Sequence, residues 1–303
     1  MKIFIPGGCG YVGAALVPYL LADGHCVTVY DTQWFGKGFL PDNGKMRMVK
    51  GDIRCPKAVK AAAAGHDAAI FLASVSNNAM YAVNRKVTHA VNAEHFPEAA
   101  YAIIDAHVPF FIYASSAAVR DPSSDYAKDK LHCEDALTGT DATIVRSASV
   151  CGYSPRMRFD LTVNKMAHDA YKRGVITVNG GNQKRSHIHI KDLCRFYRLL
   201  LRTPLPGHTI NAVGQNQSVL NTAKAVASVI PCNIELGPRS DNRSYTVSGR
   251  KARDLLGFSP VFDVKAAAQE LLVRFESDKL SLTNAWRDSM TNPVFQNIAH
   301  GLR

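Results

Sequence analysis

The chain has 303 residues, 47% hydrophobic and 20% charged, with 21 Gly and 14 Pro. This composition excludes intrinsic disorder, collagen and coiled coil, and the length suits two domains of about 100–200 residues each. A net charge of +11 calls for an anionic partner: nucleic acid, anionic lipid or a phosphorylated small molecule.

The first half alternates short apolar runs with longer amphipathic or Ala-rich segments. Strands are expected at Lys2–Ile5, Cys26–Tyr30, Met46–Val49, Ala68–Leu72, Pro109–Tyr113 and Ala142–Arg146, with helices between most of them. Runs such as Phe110-Phe111-Ile112-Tyr113 are apolar on both faces, as a parallel strand covered by helices on both sides requires. The expected fold is a doubly wound parallel α/β sheet of the Rossmann type. A first helix over Tyr11–Ala22 contains Pro18, which removes one helical hydrogen bond and predicts a bend. Ala58–Gly65 reads as helix.

After Arg146 the alternation loosens. Gly152-Tyr153-Ser154-Pro155 reads as a turn, followed by a helix around Phe159–Tyr171, a strand Val175–Val178, a turn at Asn179-Gly180-Gly181-Asn182 and a strand near Ser186–Ile190. The expected division is a dinucleotide-binding domain over 1–155 and a smaller α/β substrate lobe over 156–303. The strand at Thr209–Val213 is expected to return to the first domain.

The charge is concentrated. Arg156 to Lys191 holds eight basic residues against Asp160 and Asp169; Pro238 to Arg253 holds five against Asp241. Neither stretch is a Lys/Arg run interleaved with aromatics, so nucleic acid ranks below a phosphorylated small molecule. Seven cysteines, an odd number with no C-x-x-C pair, suit a reduced, cytoplasmic protein. The N-terminal apolar run is too short for a signal-peptide core, and no stretch of eighteen apolar residues offers a membrane span. His187-Ile188-His189 lacks cysteine or carboxylate companions at ligand spacing; the histidines read as strand residues with structural hydrogen bonds, and no metal is expected.

Gly7-Gly8-Cys9-Gly10-Tyr11-Val12-Gly13 follows the first strand directly and opens the first helix. It satisfies G-x-G-x-x-G through Gly8, Gly10 and Gly13, and G-x-x-G-x-x-G through Gly7, Gly10 and Gly13. Such a turn brings backbone close to a pyrophosphate and points helix N–H groups at the anion. Asp31, eighteen residues past Gly13, ends the second strand, where a carboxylate accepts from adenosine ribose hydroxyls and repels a 2′-phosphate; NAD is favoured over NADP. Gly51-Asp52-Ile53 after the third strand suits the adenine edge.

Tyr126 and Lys130 stand at i and i+4 on one helix face. Ten residues before Tyr126, the fifth strand ends in Ala114-Ser115-Ser116, which places hydroxyls at the carboxyl end of the sheet, where α/β folds bind ligands. A neighbouring ammonium favours the phenolate of a tyrosine, so Ser, Tyr and Lys form a proton-transfer unit beside a hydride acceptor.

With these residues the chain resembles the extended short-chain dehydrogenase/reductases, in particular the NAD-dependent nucleotide-sugar epimerases, dehydrogenases and dehydratases. The resemblance spans nearly the whole chain. It rests on Gly7–Gly13, Asp31, Gly51-Asp52-Ile53, Phe71-Leu72-Ala73, Asn92, Ser115-Ser116-Ala117, Tyr126 with Lys130 and the segment Gly152–Asp160. Downstream it rests on Arg185–Asp192, Asp241-Asn242-Arg243-Ser244-Tyr245 and Leu255–Pro260.

The resemblance implies that Gly7, Gly10, Tyr11, Val12, Gly13, Asp31, Asp52, Ile53, Leu72, Ala73, Ser74, Asn92 and Lys130 hold NAD. It makes Tyr126 the base that takes a sugar hydroxyl proton, with Ser116 bonded to that hydroxyl and Lys130 on the nicotinamide ribose. Ser115, Asn164, Arg185 and Arg243 would bind the nucleotide-diphosphate sugar. It also implies a homodimer through helices near Ala90–His107 and Tyr126–Leu137. Two departures bear on substrate: only nine residues separate Ser116 from Tyr126, and Ala117-Ala118 stand where the family's 4,6-dehydratases carry Asp-Glu. The expected activity is 4-epimerisation through a 4-keto intermediate. The alternatives are net oxidation or reduction at the same carbon and a non-catalytic dinucleotide sensor.

Overall fold

A computed structural model describes residues 1–76, 78–238 and 243–277. These divide into two compact units, one of Met1–Arg146 with Leu200–Ile210, the other of Ser147–Leu199 with the described residues from Asn211 onward.

In the first unit, seven strands form one sheet: β1 (Lys2–Pro6), β2 (Cys26–Asp31), β3 (Met46–Lys50), β4 (Ala68–Phe71), β5 (Phe110–Ser116), β6 (Thr143–Ser147) and β10 (Thr209–Ala212), in the order β10-β6-β5-β4-β1-β2-β3. The pairs β1–β2, β2–β3, β1–β4 and β4–β5 are parallel. This is the doubly wound Rossmann-type sheet. Its strand order reverses between β1 and β4, and ligands of such sheets lie beyond the carboxyl ends at that reversal. The helices are α1 (Tyr11–Ala22), α2 (Pro56–Ala63), α3 (Ala79–His89), α4 (Phe96–Ile104) and α5 (Asp125–Ala136), with a π-helical turn at Ala90–Glu94 and a 3-10 turn at Ala117–Arg120.

The core explains the apolar runs. Phe4, Phe71, Phe96 and Tyr113 are each at most 2% exposed and pack in one cluster with Tyr30 and Cys133. The Phe96 and Tyr113 rings stand 4.5 Å apart. Each large side chain buried this completely contributes about 1.5–3 kcal/mol. Helix α1 runs unbroken through Pro18 because its buried face, Tyr11 to Leu21, is apolar nearly all round. Strand β5 extends three residues beyond the expected Tyr113, since Ser115 is anchored inward, as described below.

The second unit contains β7 (Ser149–Cys151), α6 (Thr162–Arg173), β8 (Val175–Asn179), β9 (Lys184–His189), β11 (Gln215–Ser218), α8 (Val219–Ala227), β12 (Asn233–Gly237), α9 (Arg250–Leu256) and α10 (Val264–Glu276). Helix α7 (Ile190–Arg202) runs from it into the first unit. Strands β11, β9 and β7 make a three-stranded sheet, and β12 pairs parallel with β8. Helix α6 starts three residues later than its apolar pattern suggests, because Arg158 pairs with Asp160 and Leu161 is still extended. Among the described residues, no helix is long and apolar enough to cross a membrane.

Candidate active site

The glycine turn between β1 and α1 sits at the strand-order reversal. Gly7 has φ +81°, and a Cβ there would stand 2.4 Å from the backbone of Ala73. A Cβ on Gly13 would meet the Gly8 carbonyl oxygen at 2.2 Å, so the first turn of α1 packs directly on the loop. At Gly10 an added Cβ would face only the Gly7 oxygen, at 3.4 Å, which leaves open space beside the turn. Helix α1 begins with no capping side chain and no acidic residue in its first turn, which contains Tyr11, Val12 and Gly13. An uncapped helix start beside open space is the environment a pyrophosphate needs.

Asp31 at the end of β2 accepts from the Cys9 N–H at 2.9 Å and the Gln33 N–H at 2.7 Å, so it ties the glycine turn to the β2 exit. Burial, together with the Asp31 carboxylate, pushes the Cys9 thiol up to about 12. The Asp52 carboxylate is engaged by Arg54, whose guanidinium also lies 5.5 Å from the Trp34 ring centre. Ile53 is 5% exposed and its side chain belongs to the core. These features fit a dinucleotide along the carboxyl ends of β1, β2 and β3. Leu72, Ala73 and Ser74 follow β4 on the other side of the turn. Asn92, expected at the cofactor, has its amide fully occupied inside the protein: it bonds Ser74, both backbone groups of Val75 and Tyr81. It shapes the wall of the site.

The residues expected to transfer a proton come from β5 and α5. Ser124 caps α5 by accepting from the Ala127 N–H at 3.3 Å, which starts the helix one residue before Tyr126. Lys130, one turn on and 4% exposed, donates from Nζ to the Ala114 carbonyl at 3.0 Å. Its ammonium lies 4.9 Å from the Tyr113 ring centre and 5.9 Å from that of Tyr126. Burial lowers the Lys130 pKa, against the raising influence of Cys133, Glu134 and Asp129. Ser116 Oγ accepts from the Ala118 N–H at 3.2 Å, which leaves its proton to donate. Tyr126 and Ser116 are half-buried, in keeping with groups that meet a ligand.

Ser115 has a different task from the one expected. It is 3% exposed and donates to Glu134 at 2.5 Å, and Arg146 grips the same carboxylate through Nε at 3.0 Å. Its hydroxyl locks β5 to α5, and Ser116 is the half-buried member of the pair. Glu134 extends the Tyr126–Lys130 face by one more helical turn at i+8, a spacing visible in the sequence. Asp129 and Tyr81, also missed, lie beneath that face and carry no comparable signal.

In the second unit, Arg185 on β9 and Arg243 lie side by side, but the Arg185 guanidinium donates to the backbone carbonyls of Lys184 and Arg243 and lies 5.6 Å from the Tyr245 ring centre. It fastens the 243–245 segment to β9. Asn164 is 0% exposed; its amide accepts from the Gly152 N–H at 2.9 Å and donates to the Arg158 carbonyl at 3.0 Å. With no exposed surface it braces the 152–158 loop, and the expected substrate contact is not made by its side chain as it sits. Asp241 and Asn242 lie outside the described residues. His187 bonds Thr222 at 3.2 Å and His189 stands 3.3 Å from Glu270. Among the described residues, no three His, Cys, Asp or Glu side chains gather as a metal site.

The model of the NAD dependent epimerase/dehydratase family matches residues 3–213. A UDP-glucose 4-epimerase of Lactobacillus helveticus is 26% identical over 328 residues, covering 88% of this chain and 96% of that protein. The crystal structure of dTDP-glucose 4,6-dehydratase from Streptomyces venezuelae, with NAD bound, superposes with a TM-score of 0.83 at 19% identity, over 92% of this chain and 98% of that one. UDP-glucose 4-epimerase from Thermotoga maritima gives 0.80 at 18% identity, over 92% and 100%. At these identities the structural likeness establishes the fold.

Proposed function

Because the chain belongs to the NAD-dependent epimerase/dehydratase family, we propose that it is an NAD-dependent 4-epimerase of a nucleotide-diphosphate sugar, working through a 4-keto sugar. The observation that carries this reading is the Ser116, Tyr126 and Lys130 cluster, with Lys130 Nζ held on the Ala114 carbonyl beside the Tyr126 ring.

Each residue has a derived part. Lys130 places positive charge near the Tyr126 phenol and favours its phenolate, which accepts the proton of the sugar 4-hydroxyl. Ser116 donates to the same sugar oxygen and orients it. Bound NAD supplies the acceptor for the hydride that leaves C4. With C4 presented by its other face, Tyr126 would return the proton as the hydride comes back, and the product would be the epimer. Asp31 would hold the adenosine ribose, and the α1 N-terminus would hold the pyrophosphate. Arg243, half-buried, takes the substrate diphosphate, with Arg185 holding it in place.

Ala117-Ala118 favours epimerisation over dehydration. Loss of water from the sugar needs an acid and a base beside C5 and C6, and the 3-10 turn after Ser116, which opens with Ala117 and Ala118, holds no carboxylate. The relative from Lactobacillus helveticus, a UDP-glucose 4-epimerase, supports the same choice. Pairing of two copies through the 90–107 and 126–137 helices belongs to this reading.

The test is incubation with UDP-, GDP-, CDP- and dTDP-sugars while following NADH absorbance and product stereochemistry. Epimerisation without net NADH is expected. Stoichiometric NADH would make the protein a dehydrogenase, and no reaction with any sugar would point to a non-catalytic dinucleotide sensor.

A further inference from the structure

Beneath the Tyr126–Lys130 face lies a chain of buried polar groups outside the proton-transfer unit. Asp129 is 6% exposed and accepts from the Tyr81 hydroxyl at 2.5 Å, while His89 Nδ1 stands 3.0 Å from its other oxygen. Tyr81, 7% exposed, has one hydroxyl proton, and that proton goes to Asp129; its oxygen accepts from Asn92 Nδ2 at 3.0 Å. The second Nδ2 proton of Asn92 goes to the Val75 carbonyl at 2.9 Å, and its Oδ1 accepts from Ser74 Oγ at 2.9 Å and the Val75 N–H at 2.8 Å. All four bonds an Asn amide can make are present, so its orientation is fixed.

We propose that Asp129 is a positioning residue, which acts through Tyr81 and Asn92 to set the 72–75 segment against the glycine turn. The inference rests on the reading of Tyr126 and Lys130 as the proton-transfer pair. Ser74 and Val75 continue the backbone of Leu72 and Ala73, the surface on which Gly7 rests without a side chain. Asp129 sits on α5 between the turns that carry Tyr126 and Lys130. One carboxylate therefore links the helix that performs proton transfer to the wall of the cofactor turn. A second tie reinforces it: Cys133 on α5 donates Sγ–H to the Asn92 carbonyl at 2.9 Å, within the π-helical turn. A π-helical turn disturbs the regular pairing of carbonyls and is common near functional sites.

The network is directional. Asn92 gives its proton to Tyr81, Tyr81 gives its own to Asp129, and only an acceptor at position 129 completes the sequence. Removing Asp129 would leave the Tyr81 proton buried and unpaired and free the hydroxyl to turn away from Asn92.

The test compares Tyr81→Phe, Asp129→Leu, the double variant and Asp129→Asn, which keeps an acceptor for Tyr81. Three quantities are read: amide exchange at Val75, NADH affinity by fluorescence, and steady-state kinetics. Tyr81→Phe and Asp129→Leu should each speed Val75 exchange about tenfold and lower kcat about tenfold, with KM for the sugar within twofold. The double variant should be no worse than either single, because one chain is cut once. Asp129→Asn should recover most of both losses. Unchanged Val75 exchange, additive effects in the double variant, or no recovery by Asp129→Asn would overturn the proposal. Thermal unfolding identifies any variant that fails to fold, and Asp129→Asn then decides from Val75 exchange and kcat. The exchange measurement needs no turnover, so a chain inactive on every sugar would refute the functional reading and leave this comparison to be judged by itself.

Discussion

The carboxyl end of the seven-stranded sheet and the loops around β9 in the second unit are both rich in polar residues, and they treat them differently. At the sheet end, Ser116 and Tyr126 are half-buried, while the buried residues around them, Ser115, Glu134, Asn92 and Lys130, form a supporting layer. In the second unit, several charged residues pair with one another. Lys191 pairs with Glu270, Arg158 with Asp160, Lys165 with Asp169, and Arg250 and Arg253 share Asp254. Five of the basic residues that make the second unit look like an anion trap are thus matched by carboxylates. Glu270 and Asp254 lie outside the stretches where the positive charge concentrates, so counting along the chain overstates the charge available to a diphosphate. A half-buried hydroxyl on a braced platform, rather than local charge, separates a candidate site from a scaffold.

This contrast can be broken or sharpened by substitution. The largest effect belongs to the platform. Tyr126→Phe should lower turnover about 10³-fold, within the range for a general base, with NADH affinity and unfolding unchanged; fluorescence titration and steady-state rates decide it. Unaltered turnover would remove Tyr126 from the chemistry.

Asn164→Ala probes the scaffold. It strands the Gly152 N–H and the Arg158 carbonyl, so stability should fall by about 2–4 kcal/mol in denaturant unfolding, while KM of the folded enzyme stays within twofold. A tenfold rise in KM without loss of stability would make Asn164 a ligand after all.

Asp31→Ala should weaken NAD about tenfold and NADP less, by isothermal titration, through loss of the ribose acceptor and of the bond to Cys9 N–H. A wild-type preference for NADP would contradict the argument.

The smallest effect lies in the Glu270 network. Burial raises the Glu270 carboxyl, but hydrogen bonds from His189, Lys191 and the Tyr153 N–H outweigh it and bring it down from 4.5 to about 2. A group more acidic in the folded state stabilises above its unfolded pKa and loses that contribution as pH falls toward its folded one. The wild type should therefore lose on the order of 1–2 kcal/mol between pH 4.5 and about 2, after screening at the half-exposed Lys191. Glu270→Gln should flatten that part of the profile in acid unfolding monitored by circular dichroism.

What the sequence reveals follows the same division. Strands β1, β2 and β4 are largely apolar on both faces, and the Gly7–Gly13 turn, Asp31 and the Tyr126–Lys130 spacing are local patterns, so the sheet and the candidate proton-transfer residues are legible without tertiary information. Strands β11 (Gln215–Ser218) and β12 (Asn233–Gly237) are not, because β11 is wholly polar and β12 holds only Ile234 and Leu236 as apolar residues; they pair with β9 and β8. The inward turn of Ser115 depends on Glu134 nineteen residues away, and the burial of Asn164 depends on the loop it braces. Residue type marks Arg185 as an anion ligand, yet its guanidinium meets carbonyls that only the fold brings near.

The proposal to test is that Tyr126 takes and returns the proton of the C4 hydroxyl while NAD, when bound, would take and return the C4 hydride. The most direct measurement uses a nucleotide sugar deuterated at C4 that the wild-type protein accepts, with products resolved by NMR. The account predicts deuterium at C4 of both epimers and none in NADH. Deuterium in NADH, or at C6 of a dehydrated product, would contradict it.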